Sequence, residues 1–132
     1  MKSIKYQKDV DGFIKEAERE IEYIEWDIKG SKWDPACFWS QQAAEKALKA
    51  LWAYYGRKPI KIHRLETLIK GVADKSPVIE KYLKTAMFLD QFYLETRYPD
   101  FIDERIKISE SLGERALLSA RKIIAAVKKE LN

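Results

Sequence analysis

Histidine and cysteine each occur once in this chain, as His63 and Cys37. Their scarcity removes several chemistries at the outset. An internal disulfide needs two thiols, and a metal centre needs ligands that a lone histidine, with no carboxylate or second histidine at ligand spacing, does not supply. The five glycines are scattered at chain breaks and inside the last helix, so no Gly-rich loop cradles a phosphate and no cofactor fingerprint is present. No Ser or Cys sits in a nucleophile elbow or beside an obvious base. Apolar runs are too short to span a bilayer, and the start, Met-Lys-Ser-Ile-Lys-Tyr-Gln-Lys, has charge without an apolar signal core. A cytoplasmic protein with no membrane partner is expected. Asparagine occurs once, while Lys, Glu and Ile abound, a composition expected of a thermophile. No stretch alternates as a strand would.

What is there is helical. The 132 residues, 46% hydrophobic and 35% charged, suit one globular domain spanning 1–132 with a real core. A net charge of +4 permits a nucleic-acid partner without demanding one. The chain is organised around Asp34–Gly56, where Asp34 is a capping residue, Pro35 suits a first turn and Gly56 closes the helix. Ala44, Leu48, Leu51 and Tyr55 form its apolar stripe, and Ala43, Ala47 and Ala50 broaden it so that neighbours can approach on several sides. Glu45 and Lys49, four apart, are expected to mark a wet or partner-facing edge. Cys37 reads as a buried structural residue.

The other helices follow from the same periodicity. Val10, Ile14, Ala17, Ile21, Ile24 and Ile28 predict a first helix closing at Gly30, its face of Lys15, Glu16, Glu18, Arg19, Glu22 and Glu25 being solvated. The short link Ser31-Lys32-Trp33 makes helices one and two antiparallel. A short third helix runs from about His63 to Gly71. Ser76-Pro77 opens a fourth on Ile79, Leu83, Ala86, Leu89 or Asp90, and Tyr93, which stops by Tyr98 before Pro99. Asp100 to Lys107 reads as irregular. A fifth helix starts near Ser109 or Ser111, the latter forming a capping box with Glu114, and runs to the C-terminus. The fold class is therefore all-α, an up-and-down antiparallel bundle of four long helices plus one short helix. Four tryptophans and seven tyrosines exceed what one small bundle readily buries, so a homodimer built on the long helices is expected, with helix four a candidate participant.

One run carries potential chemistry, Tyr93-Leu94-Glu95-Thr96-Arg97-Tyr98-Pro99-Asp100-Phe101. An arginine fork holds a phosphate, a tyrosine ring stacks on a base, and an aspartate fixes the arginine or a sugar hydroxyl. On residue physics alone the simpler reading is favoured, in which Arg97 and Asp100 cap and staple a helix end and Tyr98 packs inside. In the ligand-binding reading Tyr93 and Arg97 share a face, Asp100 joins them, and Gln42 and Lys46 on helix two supply a second wall.

In order and spacing, Phe38-Trp39-Ser40-Gln41-Gln42-Ala43-Ala44-Glu45-Lys46-Ala47-Leu48, Pro59, His63-Arg64-Leu65 and Thr96-Arg97-Tyr98-Pro99-Asp100 resemble the HEPN domain family over nearly the whole chain. The resemblance implies a small helical bundle, commonly homodimeric. It also implies a nucleotide- or RNA-binding role, often beside a minimal nucleotidyltransferase in a toxin–antitoxin-like pair. Some members are metal-independent ribonucleases that need a histidine separated from a preceding arginine by four to six residues. After Arg97 those positions hold Ile102, Asp103 and Glu104, so a non-catalytic binding protein is favoured over a ribonuclease with a degenerate site. Arg57 and His63 have five residues between them, but Pro59 interrupts the segment, and the spacing reads as coincidence. His63 is matched instead to the family's histidine at the start of helix three, where it is expected to cap that helix or bond nearby backbone.

Overall fold

The computed structural model of the chain describes residues 6–59, 61–93 and 108–132. Of the expected site residues, Arg97, Tyr98 and Asp100 lie outside the described residues. The elements are α1 (Gln7–Lys29), α2 (Trp33–Tyr54), α3 (Leu65–Lys70), a 3-10 helix (Pro77–Tyr82) leading directly into α4 (Leu83–Asp90), and α5 (Glu110–Leu131). Four longer helices and one short one form the all-α bundle that the patterning predicts, with no strand among the described residues.

Ion pairs fix the directions of the helices. Lys128 meets Glu18 at 2.7 Å, and Arg121 meets Glu25, so moving seven residues forward on α1 moves seven back on α5. The two helices are antiparallel. A tight turn at Gly30–Lys32 likewise sends α2 back along α1, with Lys46 reaching Glu20 at 3.2 Å. Helices α2 and α5 therefore run the same way, both against α1.

The alanine-rich helix is central, as expected. Ala36, Cys37, Ala43, Ala44, Ala47, Leu48, Ala50 and Leu51 are all fully buried, and α2 packs against α1, α3, α4 and α5. Small side chains let these neighbours in close, and each fully buried leucine or isoleucine contributes about 1.5–3 kcal/mol. Val10, Ala17 and Ile24 of α1 are buried, with Ile14, Ile21 and Ile28 packed partly buried against the core.

The helix ends differ in detail from the sequence-based expectation. Helix α2 begins at Trp33, two residues early, so Asp34 lies within the first turn and Lys32 holds the cap position without a side-chain bond. Pro35 stays within that first turn, where a missing N–H costs nothing. Gly56 does close the helix, at φ 74°. Its N–H bonds the Ala53 carbonyl at 2.9 Å and the next N–H, of Arg57, bonds Trp52 at 2.8 Å, which is a complete Schellman motif. Ser109, rather than Ser111, caps α5, accepting from the Leu112 N–H at 3.3 Å. Ser76 precedes the Pro77 helix but makes no cap bond; its hydroxyl goes to Glu130 of α5, so a tertiary partner takes the oxygen that a local cap would use.

Candidate functional site

The neighbours of α2 leave Trp39 exposed and Gln42, Lys46 and Lys49 half-buried, but they enclose Glu45, so the wet alternative of its expected wet or partner-facing edge fails. Glu45 is 3% exposed. One carboxylate oxygen accepts from Lys49 Nζ at 2.8 Å and lies 3.1 Å from His63 Nδ1, while the other accepts from Gln42 Nε2 at 3.4 Å. One turn earlier, Gln41 is fully buried. Its amide nitrogen donates to the His63 carbonyl at 3.0 Å and to Asp90 Oδ1 at 3.2 Å, and its oxygen accepts from Gln42 at 2.7 Å. Both amide donors and the oxygen of that side chain are used in ordering its neighbours.

Asp90, at the last turn of α4, completes the arrangement. Its two oxygens accept from the N–H groups of Leu65 at 2.8 Å and Glu66 at 3.0 Å. These are two free donors of α3's first turn, so α3 is capped from another helix and not by His63. Burial pushes the Asp90 carboxyl above its ordinary range, although the Leu65 and Glu66 N–H groups and Gln41 pull the other way. The far end of α3 is pinned too. Trp52 Nε1 donates to the Leu68 carbonyl at 2.8 Å, and Arg57 Nη1 donates to the Gly71 carbonyl at 2.6 Å. Arg57 also forks onto Asp74 with two bonds of 2.8 Å, which holds the Asp74 carboxyl down to about 2. Arg57 and His63 thus turn to different partners.

His63 stands on the loop just ahead of α3 with 40% of its side chain exposed. Its ring stacks on Tyr93, centroids 5.7 Å apart and planes 22° from parallel. Tyr93 reaches it from an unexpected backbone. Helix α4 ends at Asp90, and the tighter bonds of Phe92 N–H to the Leu89 carbonyl and Tyr93 N–H to the Asp90 carbonyl carry the chain out as a turn. Tyr93 is therefore on the exit from α4 and not on its helical face.

The expected site residues divide accordingly. Gln42 and Tyr93 come together around His63 and Glu45. Lys46 turns to α1, where its ammonium lies 3.2 Å from Glu20 and 3.8 Å from Glu16. Glu20 is nearly buried, and desolvation raises its carboxyl pKa more than Lys46 lowers it. A raised carboxyl pKa means that the folded state holds the proton more tightly than the unfolded chain. Its contribution is present below the unfolded value and lost as pH rises through the folded one. Glu20→Gln should therefore gain melting temperature relative to wild type as pH rises above the ordinary carboxyl range. Parallel melting curves across acid to neutral pH check this, and a constant difference between the two proteins would contradict it.

Glu45, Gln41, Lys49 and Asp90 are the cluster members that sequence reasoning did not place in a site. A signal was present: polar residues embedded in the alanine run of a helix meant to be central have to be inside.

A cavity of about 410 Å³ lies elsewhere, lined by Val10, Ile14, Tyr54, Lys128 and Leu131 among others. Lys128 at its wall is already paired with Glu18, so the cavity offers no unanswered cation from that residue. Among the described residues no group of three or more His, Cys, Asp or Glu is arranged to hold a metal ion, and no helix is long and apolar enough to cross a membrane.

A central alanine-rich helix, a short helix capped from its neighbour and a half-open histidine backed by a buried carboxylate define a small helical-bundle domain with a polar centre beside α3. The chain belongs to the HEPN domain family, whose family model matches residues 10–131. It is similar to TT1696 from Thermus thermophilus, with 28% identity and a TM-score of 0.80 over 92% of this chain and 97% of that one. It is also similar to ST0689, described as an archaeal HEPN homologue, with 27% identity and a TM-score of 0.73 over 93% of this chain and 98% of that one. No curated protein matches the chain.

Proposed function

We propose that this HEPN domain protein is a non-catalytic nucleotide- or RNA-binding module that acts as a homodimer and partners a minimal nucleotidyltransferase in a toxin–antitoxin-like pair. The observation that carries the binding reading is the half-open His63–Tyr93 stack, held from behind by Glu45 and Gln41 and leading along the chain toward Arg97. Aromatic faces, a fixed imidazole and the Gln42 amide supply what a nucleotide requires, stacking and directional hydrogen bonds. Arg97 adds a phosphate fork, with Tyr98 and Asp100 beside it in sequence. Lys46 contributes positive charge only if a ligand competes with Glu20 for it. Kinship with the family is what supports the nucleotidyltransferase partner.

Calorimetric titration with ATP, GTP and short RNA tests the site. Arg97→Lys keeps the charge and removes the fork, and should weaken binding by roughly 1.5–3 kcal/mol. Equal binding by both proteins would return Arg97 to the role of a helix staple.

The dimer draws support from apolar side chains left in water: Trp26 at 74%, with Tyr23, Trp39, Met87 and Leu118 also exposed. Light scattering at micromolar concentration should give twice the 15.5 kDa chain mass. A monomer mass would contradict it.

The His63–Glu45 pair favours one second reading, a metal-independent ribonuclease, because a carboxylate-oriented imidazole is the geometry of a general base. Against it stands the absence of histidine at 102–104, and no turnover above background on single-stranded RNA is expected. Cleavage that survives a chelator and disappears in Arg97→Ala would reverse the choice.

A further inference from the structure

We infer that the homodimer is built on the outer face of the α1–α5 pair, each α1 packing on the α5 of a second copy about a two-fold axis parallel to the helices. This rests on the homodimer reading above and adds to it which surface is covered and in what register.

The seam between these two helices is open. Both pack closely on α2 but only sparingly on each other, and Ile14, Ile21 and Ile28 stay half-buried along the seam. Three hollows follow one another down its length. The cavity of about 410 Å³ lies at Ile14 and Leu131, one of about 320 Å³ at Ile21 and Ile124, and one of about 370 Å³ at Ile28 and Leu117. The Glu18–Lys128 and Glu25–Arg121 pairs bridge the seam at intervals. Beside it Trp26 of α1 is 74% exposed, its ring touched only at 5.9 Å by the Lys29 ammonium, and Leu118 of α5 is 54% exposed.

Charge selects the occupant. Along the α1 side of the seam stand Asp11, Glu18, Glu22 and Glu25 against Lys15 and Lys29. Along the α5 side stand Arg121, Lys122, Lys128 and Lys129, while Glu130 is turned away to Ser76. A second copy answers this division with its own. A two-fold axis parallel to the helices sets acidic α1 on basic α5 twice, whereas one running across them sets α1 on α1, acid on acid. The register follows, because the parallel axis keeps every residue at its own height. The Glu25–Arg121 pair puts Trp26 within about 3 Å in height of Leu118, and Glu22 equally close to Lys122, at about 1.5 Å per residue. In the dimer Trp26 therefore meets the partner's Leu118, and Glu22 meets the partner's Lys122.

The area is adequate. Helices of 23 and 22 residues side by side present a footprint of roughly 650 Å². Interlocking side chains bring the covered surface toward the roughly 800 Å² per partner of a stable complex. The His63 cluster stays clear of it, being built where α2 meets α3 and α4.

Sedimentation equilibrium of the full chain gives the dimer dissociation constant. Trp26→Lys should raise it by roughly 100-fold or more, the scale of one hot spot lost twice in a symmetric interface. The new lysine follows Glu22 by one turn, a favourable order within α1, and circular dichroism confirms that the helix is kept. Charge reversal tests the register. Glu22→Lys and Lys122→Glu should each weaken the dimer by about 3- to 10-fold. An equimolar mixture of the two should regain wild-type association, because both α1–α5 contacts of the mixed dimer join opposite charges. A wild-type dimer that Trp26→Lys leaves intact, or reversed variants that associate no better mixed than alone, would overturn the inference and leave the homodimer on another face. A monomeric wild type would defeat the homodimer reading and this one together.

Discussion

Replacing Gly71 with alanine should cost about 2–4 kcal/mol of stability, combining overpacking with loss of a buried hydrogen bond. Gly71 has an ordinary helical φ of −74°, so the backbone itself would accept alanine. Space is what forbids it. A Cβ there would lie 2.1 Å from Cζ2 and 2.8 Å from Cη2 of the Trp52 indole. The indole has no easy retreat, because its Nε1 donates to the Leu68 carbonyl at 2.8 Å and its ring packs against the core. The Gly71 backbone is held from the other side by Arg57 at 2.6 Å. Either the ring or the end of α3 must move, and each movement breaks the Trp52–Leu68 bond. Urea unfolding of Gly71→Ala, Trp52→Phe and the double variant checks the mechanism. The smaller ring lacks the atoms that clash, so the double variant should be clearly more stable than the sum of the two single effects implies. Strict additivity, or a cost below about 0.5 kcal/mol for Gly71→Ala, would contradict it.

Asp90→Ala should be comparably severe, about 3–4 kcal/mol, because it strands several buried donors at once. The Leu65 and Glu66 N–H groups and the Gln41 amide all direct hydrogens at this carboxylate. Asp90→Asn keeps the volume and one acceptor oxygen, but its amide nitrogen faces donors, so it should recover only part of the loss. The effect should also extend to the site. With α3 uncapped and Gln41 released, the His63 loop loses the support that fixes its ring, and RNA affinity should fall even where the variant remains folded. Chemical denaturation combined with RNA titration of Asp90→Asn measures both. Full stability in Asp90→Ala would show that α3 does not depend on its borrowed cap.

What was legible in the sequence was whatever local periodicity determines. The alanine-rich helix, the antiparallel first pair and the Gly56 terminus all follow from spacing and punctuation within one segment. The cap of α3 was not legible in that way, because its acceptor comes from a residue 25 positions away in sequence. Asp90 already stood on the expected apolar stripe as an alternative to Leu89, which marked it as inward-facing without saying what it would meet. Glu45 and Lys49 illustrate the opposite error. Their spacing fits a solvated i, i+4 pair, and only the crowding of α2 by four neighbouring helices turns that pair inward. His63 was matched to the right place on the chain, but its partner is a buried side chain on another helix and not the local backbone. Lys46 shows the limit of reading a wall from one helix alone: the carboxylates that engage it belong to α1.

The single histidine makes the central claim directly measurable, since a nitrogen-15 side-chain spectrum of this protein contains one imidazole. If His63, Tyr93 and Gln42 form a nucleotide- or RNA-binding site around Glu45, the neutral ring should carry its proton on Nδ1, and titration with short RNA should shift its Nε2 resonance to saturation. A ring protonated on Nε2 in the free protein, or an imidazole unmoved by saturating RNA and nucleotides, would contradict it.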